Sequence, residues 1–150
     1  MTRPGDGGTG TGTDTETDAD VGLPGADLTA DEREALHQLQ LGVEHINRAY
    51  GHLLAFHHQI GHAMDQFAAA EESLRASGHA RFADTIRDDL LPAGVVGDRW
   101  SYELVADFEE GFLADTTGFE RGVRRSLADG VDHVSERAQQ HRWRARAERD

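Results

Sequence analysis

Cysteine is missing from this chain, which rules out disulfide staples, thiolate metal sites and a cysteine nucleophile. Lysine is missing too: all 15 basic residues are arginine, set against 28 aspartates and glutamates, for a formal net charge of −13. Proline occurs three times, at positions 4, 24 and 92, so nothing interrupts a helix between residues 25 and 91. No apolar run approaches the length that spans a bilayer, and no membrane association is expected. The first residues are polar and acidic, without the apolar core or basic leader of a signal peptide, so a cytoplasmic location is expected. The early glycines precede no strand-to-helix turn of the phosphate-binding kind, and there is no Gly-x-Ser-x-Gly elbow.

What is abundant is acid. Carboxylates hold water well and keep a protein dispersed when salt screens other charges, whereas at low ionic strength the same charges loosen a compact state. The arginine-only, acid-rich balance predicts a salt-rich cytoplasm, with GC-rich codon usage as the alternative source of the missing lysine. A length of 150 residues is one domain's worth.

Residues 1–27 are mostly glycine, threonine and aspartate and read as a disordered acidic tail. The single domain is expected over 28–150. Thr29 followed three residues later by Glu32 has the spacing of a capping box. Beyond it Leu36, Leu39, Val43, Ile46, Tyr50, Leu53, His57, Ile60, Met64, Phe67, Glu71 and Leu74 alternate steps of three and four, a heptad seam. Ser77-Gly78 supplies the stop. The first helix is therefore expected at about 30–77, roughly 70 Å long. Beside the seam Ala35, Gly42, Ala49, Phe56, Ala63 and Ala70 recur every seventh residue, and small side chains in that register let a second neighbour approach closely.

A short helix is expected at 79–91 through Phe82, Ile86 and Leu90, ended by Pro92, with Asp98 as the N-cap of the next helix. From 99 to 147 Trp100, Leu104, Phe108, Phe112, Phe119, Val123, Leu127, Val131, Val134 and Ala138 predict a second long helix, spaced mostly in fours. The fold class is all-α: a long antiparallel helical hairpin with a short intervening helix, assembling into a helical bundle because a hairpin cannot cover the wide first helix alone. Leu36, Leu39, Val43, Ile46, Tyr50, Leu53, Ile60, Met64, Phe67 and Leu74 are the expected interface to a second copy or a partner protein.

Three side-chain groups raise the question of chemistry. His58 and His62 lie four apart with Asp65 one turn on, a spacing able to offer two nitrogens and a carboxylate to zinc or nickel. They fall opposite the seam, where an exposed histidine pair arises readily by chance, and no glutamate follows His58 as metalloprotease chemistry requires. A ferritin-like centre needs Glu-x-x-His motifs, but Glu44, Glu103 and Glu110 are followed three on by Asn47, Ala106 and Leu113. His57 and Asp115 each interrupt an apolar stripe. In a hairpin folded about residues 85–88 they would meet as a buried polar pair that fixes register. The end, 137–150, reverses the charge trend with five arginines against two acids and Trp143 among them. Such a segment suits a helix C-terminus, pairing with acids of a neighbouring helix or of the acidic tail, or a nucleic acid. A −13 chain in salt is a poor nucleic-acid binder, and Arg121, Arg124 and Arg125 read as a solvated face.

The stretch from Leu90 to Val105, with Phe108 to Phe112 and the arginine-rich end, resembles small acidic proteins encoded by halophilic archaea. The resemblance implies habitat and a helical fold and brings no catalytic residue with it. The expected role is that of a non-enzymatic helical interaction or scaffold protein. The alternatives are a metal-binding helical protein using His58 and His62, and a nucleic-acid accessory factor using the Arg-Trp segment.

Overall fold

The computed structural model describes Gly22 and residues 25–147. The protein is all-α: its described residues form four helices and an isolated bridge between Val96 and Arg99, with no strand. Helix α1 is Ala30–Ala76, and its entry is the capping box the sequence announces. Glu32 N donates to Thr29 Oγ1 at 3.2 Å while Thr29 N donates to Glu32 Oε2 at 2.7 Å. These bonds hold the Glu32 carboxyl below its ordinary pKa range. Within the stretch expected as tail, a turn at 25–27 is held by Arg33, which donates to the carbonyls of Ala26 and Leu28. The rest of the acidic tail, 1–21 and 23–24, lies outside the described residues.

The chain reverses at Gly78, whose φ of 86° suits glycine. Helix α2 comprises Ala80–Thr85 and a π-turn, Ile86–Leu90. It already runs back along α1: Arg75 bonds Glu71 on its own helix at 2.9 Å and Asp84 on α2 at 3.0 Å. The loop 91–100 follows. A Cβ on Gly94 would collide with the backbone of Gly97, Asp98 and Arg99, so the loop closes on a residue that has none. Helix α3 spans 101–128, as Ser101–Phe108, a π-turn Glu109–Leu113, and Ala114–Ala128. Its N-cap is Trp100, not Asp98. Glu103 Oε2 accepts from Trp100 N at 2.7 Å, so the first turn is closed by the glutamate three residues in. The run of four-residue steps at Leu104, Phe108 and Phe112 suits the wider π-turn, where four or five residues complete a turn.

The second long helix expected from 99 to 147 is two helices. After Ala128 the chain enters left-handed backbone at Asp129 (φ 51°) and Gly130 (φ 80°), with Gly130 N donating to Arg124 O at 3.1 Å, and α4 begins at Val134 (Val134–Ala147). The Asp129-Gly130 pair ends α3 as a helix C-terminus normally ends. Near α1 the new helix is antiparallel: Gln40 meets His133 at 3.5 Å, and His37 lies 3.6 Å from Glu136.

Packing is concentrated at the amino end of α1, where Leu28, Leu36, Ala128 and Val134 are buried with Val123, Leu127 and Val131 against them. Gly25 fits there because a Cβ would press on Val134. A second small contact, Ala83 and Ile86, seats α2. Elsewhere the seam is half-buried on one side only. Leu39, Val43, Ile46, Tyr50, Leu53, Ile60, Met64 and Leu74 are intermediate, while Phe67 is exposed, contrary to its expected place in the seam.

Candidate functional site

The expected buried pair does not form. His57 Nδ1 lies 2.7 Å from Ser101 Oγ, and Asp115 stands exposed beside Leu39, Val43 and Ile46. Seven residues before His57 on α1, Tyr50 stacks on Phe108, seven residues beyond Ser101 on α3, with ring centroids 6.2 Å apart. Chain reversal near residue 79 rather than 85–88 explains the difference. Moving the fold point back by about seven residues shifts every cross-helix partner by about two heptads, so the facing stripe is kept while its register changes.

The structure leaves His58, His62 and Asp65 all exposed on α1. Among the described residues no group of three or more His, Cys, Asp or Glu side chains is arranged to hold a metal ion. Three side chains in bulk water on one helix have no opposing element to close a coordination shell.

Arg124 is no solvated cation. Its side chain is 16 % exposed, pairs with Asp132 across the break before α4, and stands 3.5 Å from the buried carboxylate of Glu120. At that distance the Glu120 contact is ionic rather than hydrogen-bonded, and Glu120 Oε1 and Arg124 Nε find no hydrogen-bond partner. This bracing of α3 to the loop is invisible in a linear reading that groups Arg124 with Arg121 and Arg125, both of which are exposed.

The feature with the strongest shape is a groove between α1 and α3, about 450 Å³ in volume. Its floor is Leu39, Gly42, Val43 and Ile46 from α1 and Phe112 and Phe119 from α3, and its rim includes Gln38, Asp115 and Thr116. Local structure explains why it stays open. Phe112 and Phe119, 58 % and 65 % exposed, lie two turns apart on one face of α3 beyond the contact line with α1. Opposite them runs the row of small residues, of which Ala35, Gly42 and Ala49 are exposed. Nothing lies within 4 Å of where a Cβ would stand on Gly42, Gly51 or Gly61. Along 35–49, therefore, the second neighbour that this row accommodates is not supplied by α2, α3 or α4, whereas Ala63 and Ala70 further along are half-buried. At the groove's edge the π-turn places Glu109 under Tyr50, whose hydroxyl donates to the carboxylate. That hydrogen bond, with burial and the negative charge, raises the Tyr50 pKa above its ordinary value.

The expected interface divides accordingly. Leu36 is spent in the chain's own core and Tyr50 in its stack on Phe108, whereas Leu39, Val43 and Ile46 line the groove. Phe112 and Phe119 complete it. They were readable only as members of the second helix's stripe, because their outward turn depends on the register. The arginine-rich segment forms the outer turns of α4, with Trp143 60 % exposed. Residues 148–150 lie outside the described residues. The chain matches no family model, no curated protein and no solved structure. Among the described residues no helix is long and apolar enough to cross a membrane.

Proposed function

We propose that this chain is a non-enzymatic helical interaction protein that buries the α1–α3 groove against a helix of another polypeptide, either a second copy or a partner protein. The observation behind this is the groove: an apolar floor flanked by Phe112 and Phe119, beside a row of small residues with open space over it. Exposed contiguous apolar surface of this kind marks interaction sites, and a helix laid into a groove is a common way of covering it. Other exposed aromatics, among them Phe56, Phe67, Phe82, Trp100 and Tyr102, add to the surface that assembly would cover. The acid-rich, lysine-free surface supports a salt-rich cytoplasm as the working medium.

Light scattering across a range of salt concentrations tests the groove. The wild type is expected above monomer mass, and Phe119→Asp is expected to shift it toward monomer while leaving helical circular dichroism unchanged, because Phe119 contributes little to the chain's own packing. If Phe119→Asp leaves self-association unchanged, and also leaves unchanged the binding of any partner purified from native cytoplasm, the groove is not the docking site.

A further inference from the structure

Asp115 and Arg146, charges without an ion-pair partner among the described residues, name the occupant of the groove, an inference that rests on the groove being a docking site. On its rim Asp115 is exposed and has no ion-pair partner among the described residues. It belongs to a stretch, 101–120, that holds six acids and no base. The opposite half lies on α4, where residues 137–147 hold four arginines and no acid. Ala138 turns inward and is buried. Trp143 points away from Ala138, and Arg146, three residues on, lies beside it on the flank of the helix. Both are exposed, and Arg146 has no ion-pair partner among the described residues.

These two halves do not meet within one chain. Residue pairs Gln40–His133 and His37–Glu136 set α4 antiparallel to α1, moving toward the first turn of α1. Trp143 is therefore about 10 Å past Glu136, in the direction that leads away from the groove. A complementary pair of surfaces on one chain that cannot reach each other is the condition for contact between copies. If each copy gives α4 to the other's groove, the same contact forms twice about a two-fold axis and the assembly closes. An aromatic anchor in an apolar pocket with an arginine at its edge is also the usual composition of an energetically dominant contact.

We propose that the groove of one copy is filled by the last turns of α4 from a second copy, with Trp143 seated among Leu39, Val43, Ile46, Phe112 and Phe119 and Arg146 paired with Asp115.

The full-length protein carrying Arg146→Asp or Asp115→Arg tests this, with circular dichroism as the folding control and sedimentation or native mass spectrometry as the readout. Each variant alone places like charges at both contacts and is expected to weaken the dimer on the order of tenfold. Mixed in equal amounts, the two variants set an introduced carboxylate against an introduced guanidinium in one contact and keep the natural pair in the other, so a mixed dimer is expected to form. Trp143→Ala is expected to weaken association by at least as much. Single variants that dimerise as the wild type does, while Phe119→Asp still disrupts, overturn the α4 assignment and leave the groove as a docking site for another helix. A wild type that stays monomeric at high concentration overturns the second copy as occupant. So does a monomer that retains single-stranded oligonucleotide through Trp143, which would assign α4 to nucleic acid.

Discussion

The imidazole of His57 meets the hydroxyl of Ser101 at 2.7 Å, joining the middle of α1 to the first turn of α3. Ser101 is buried and His57 half-buried, so each is the other's substitute for water. Ser101→Ala should lower unfolding stability by about 1 kcal/mol, because it leaves a polar ring without its partner. The double variant His57→Leu with Ser101→Ala should recover much of the loss, since both polar groups then disappear together. Urea denaturation of the wild type, Ser101→Ala and the double variant measures this, and a single variant as stable as the wild type would deny the contact any structural weight.

Arg124 holds the end of α3 to the loop before α4 through Asp132 and stands beside Glu120 on its own helix. Arg124→Met strands a nearly buried carboxylate and should cost about 3 kcal/mol. Adding Glu120→Gln should return most of it, because the amide needs no counter-charge. Equal losses in the single and double variants would locate the cost in packing instead.

Stability at high pH should depend on Tyr50. Its pKa is raised in the folded protein by the hydrogen bond to Glu109, with burial and the carboxylate's charge adding to it. A raised folded-state pKa means that the contribution is complete below the ordinary tyrosine range and is lost as pH rises through the folded value. Tyr50→Phe should therefore flatten the alkaline limb of the stability curve relative to the wild type. Thermal melting from neutral to strongly alkaline pH distinguishes the two proteins.

Glycines on α1 and in the loop should respond in opposite directions. Gly51→Ala and Gly61→Ala meet open space and should each stabilise by about 1 kcal/mol through helix propensity. Gly94→Ala drives a methyl into the backbone of Gly97, Asp98 and Arg99 and should destabilise by about 2 kcal/mol. Melting temperatures that rise for the first two and fall for the third fit this assignment. A fall at Gly51 or Gly61 would mean that this flank is already occupied.

How far the chain could be read in advance depends on the range over which each signal acts. The Thr29–Glu32 cap, the Ser77-Gly78 stop and the seam of α1 are local, and the residues themselves specify them. The break at 129–133 was also local: Asp129-Gly130 is a turn dipeptide, but the apolar spacing of Leu127, Val131 and Val134 runs straight across it and concealed it. The His57 partner was not local. An apolar stripe fixes which face is inward, not which turn faces which, so a fold point misplaced by about two helical turns moved Asp115 away from His57 and beside Val43. The groove shared that dependence, since Phe112 and Phe119 point outward only once the register is set.

The residues that pack tightly around Leu36 and Val134 all lie near one end of a 47-residue helix. A rod clamped at its foot transmits little cooperativity to its tip. Backbone amides beyond Ile60 should therefore exchange with deuterated solvent through partial openings that leave the clamped end shut. Capture of a companion chain in the groove would slow exchange at residues 38–46, beside the clamped end, and leave the tip's exchange little changed.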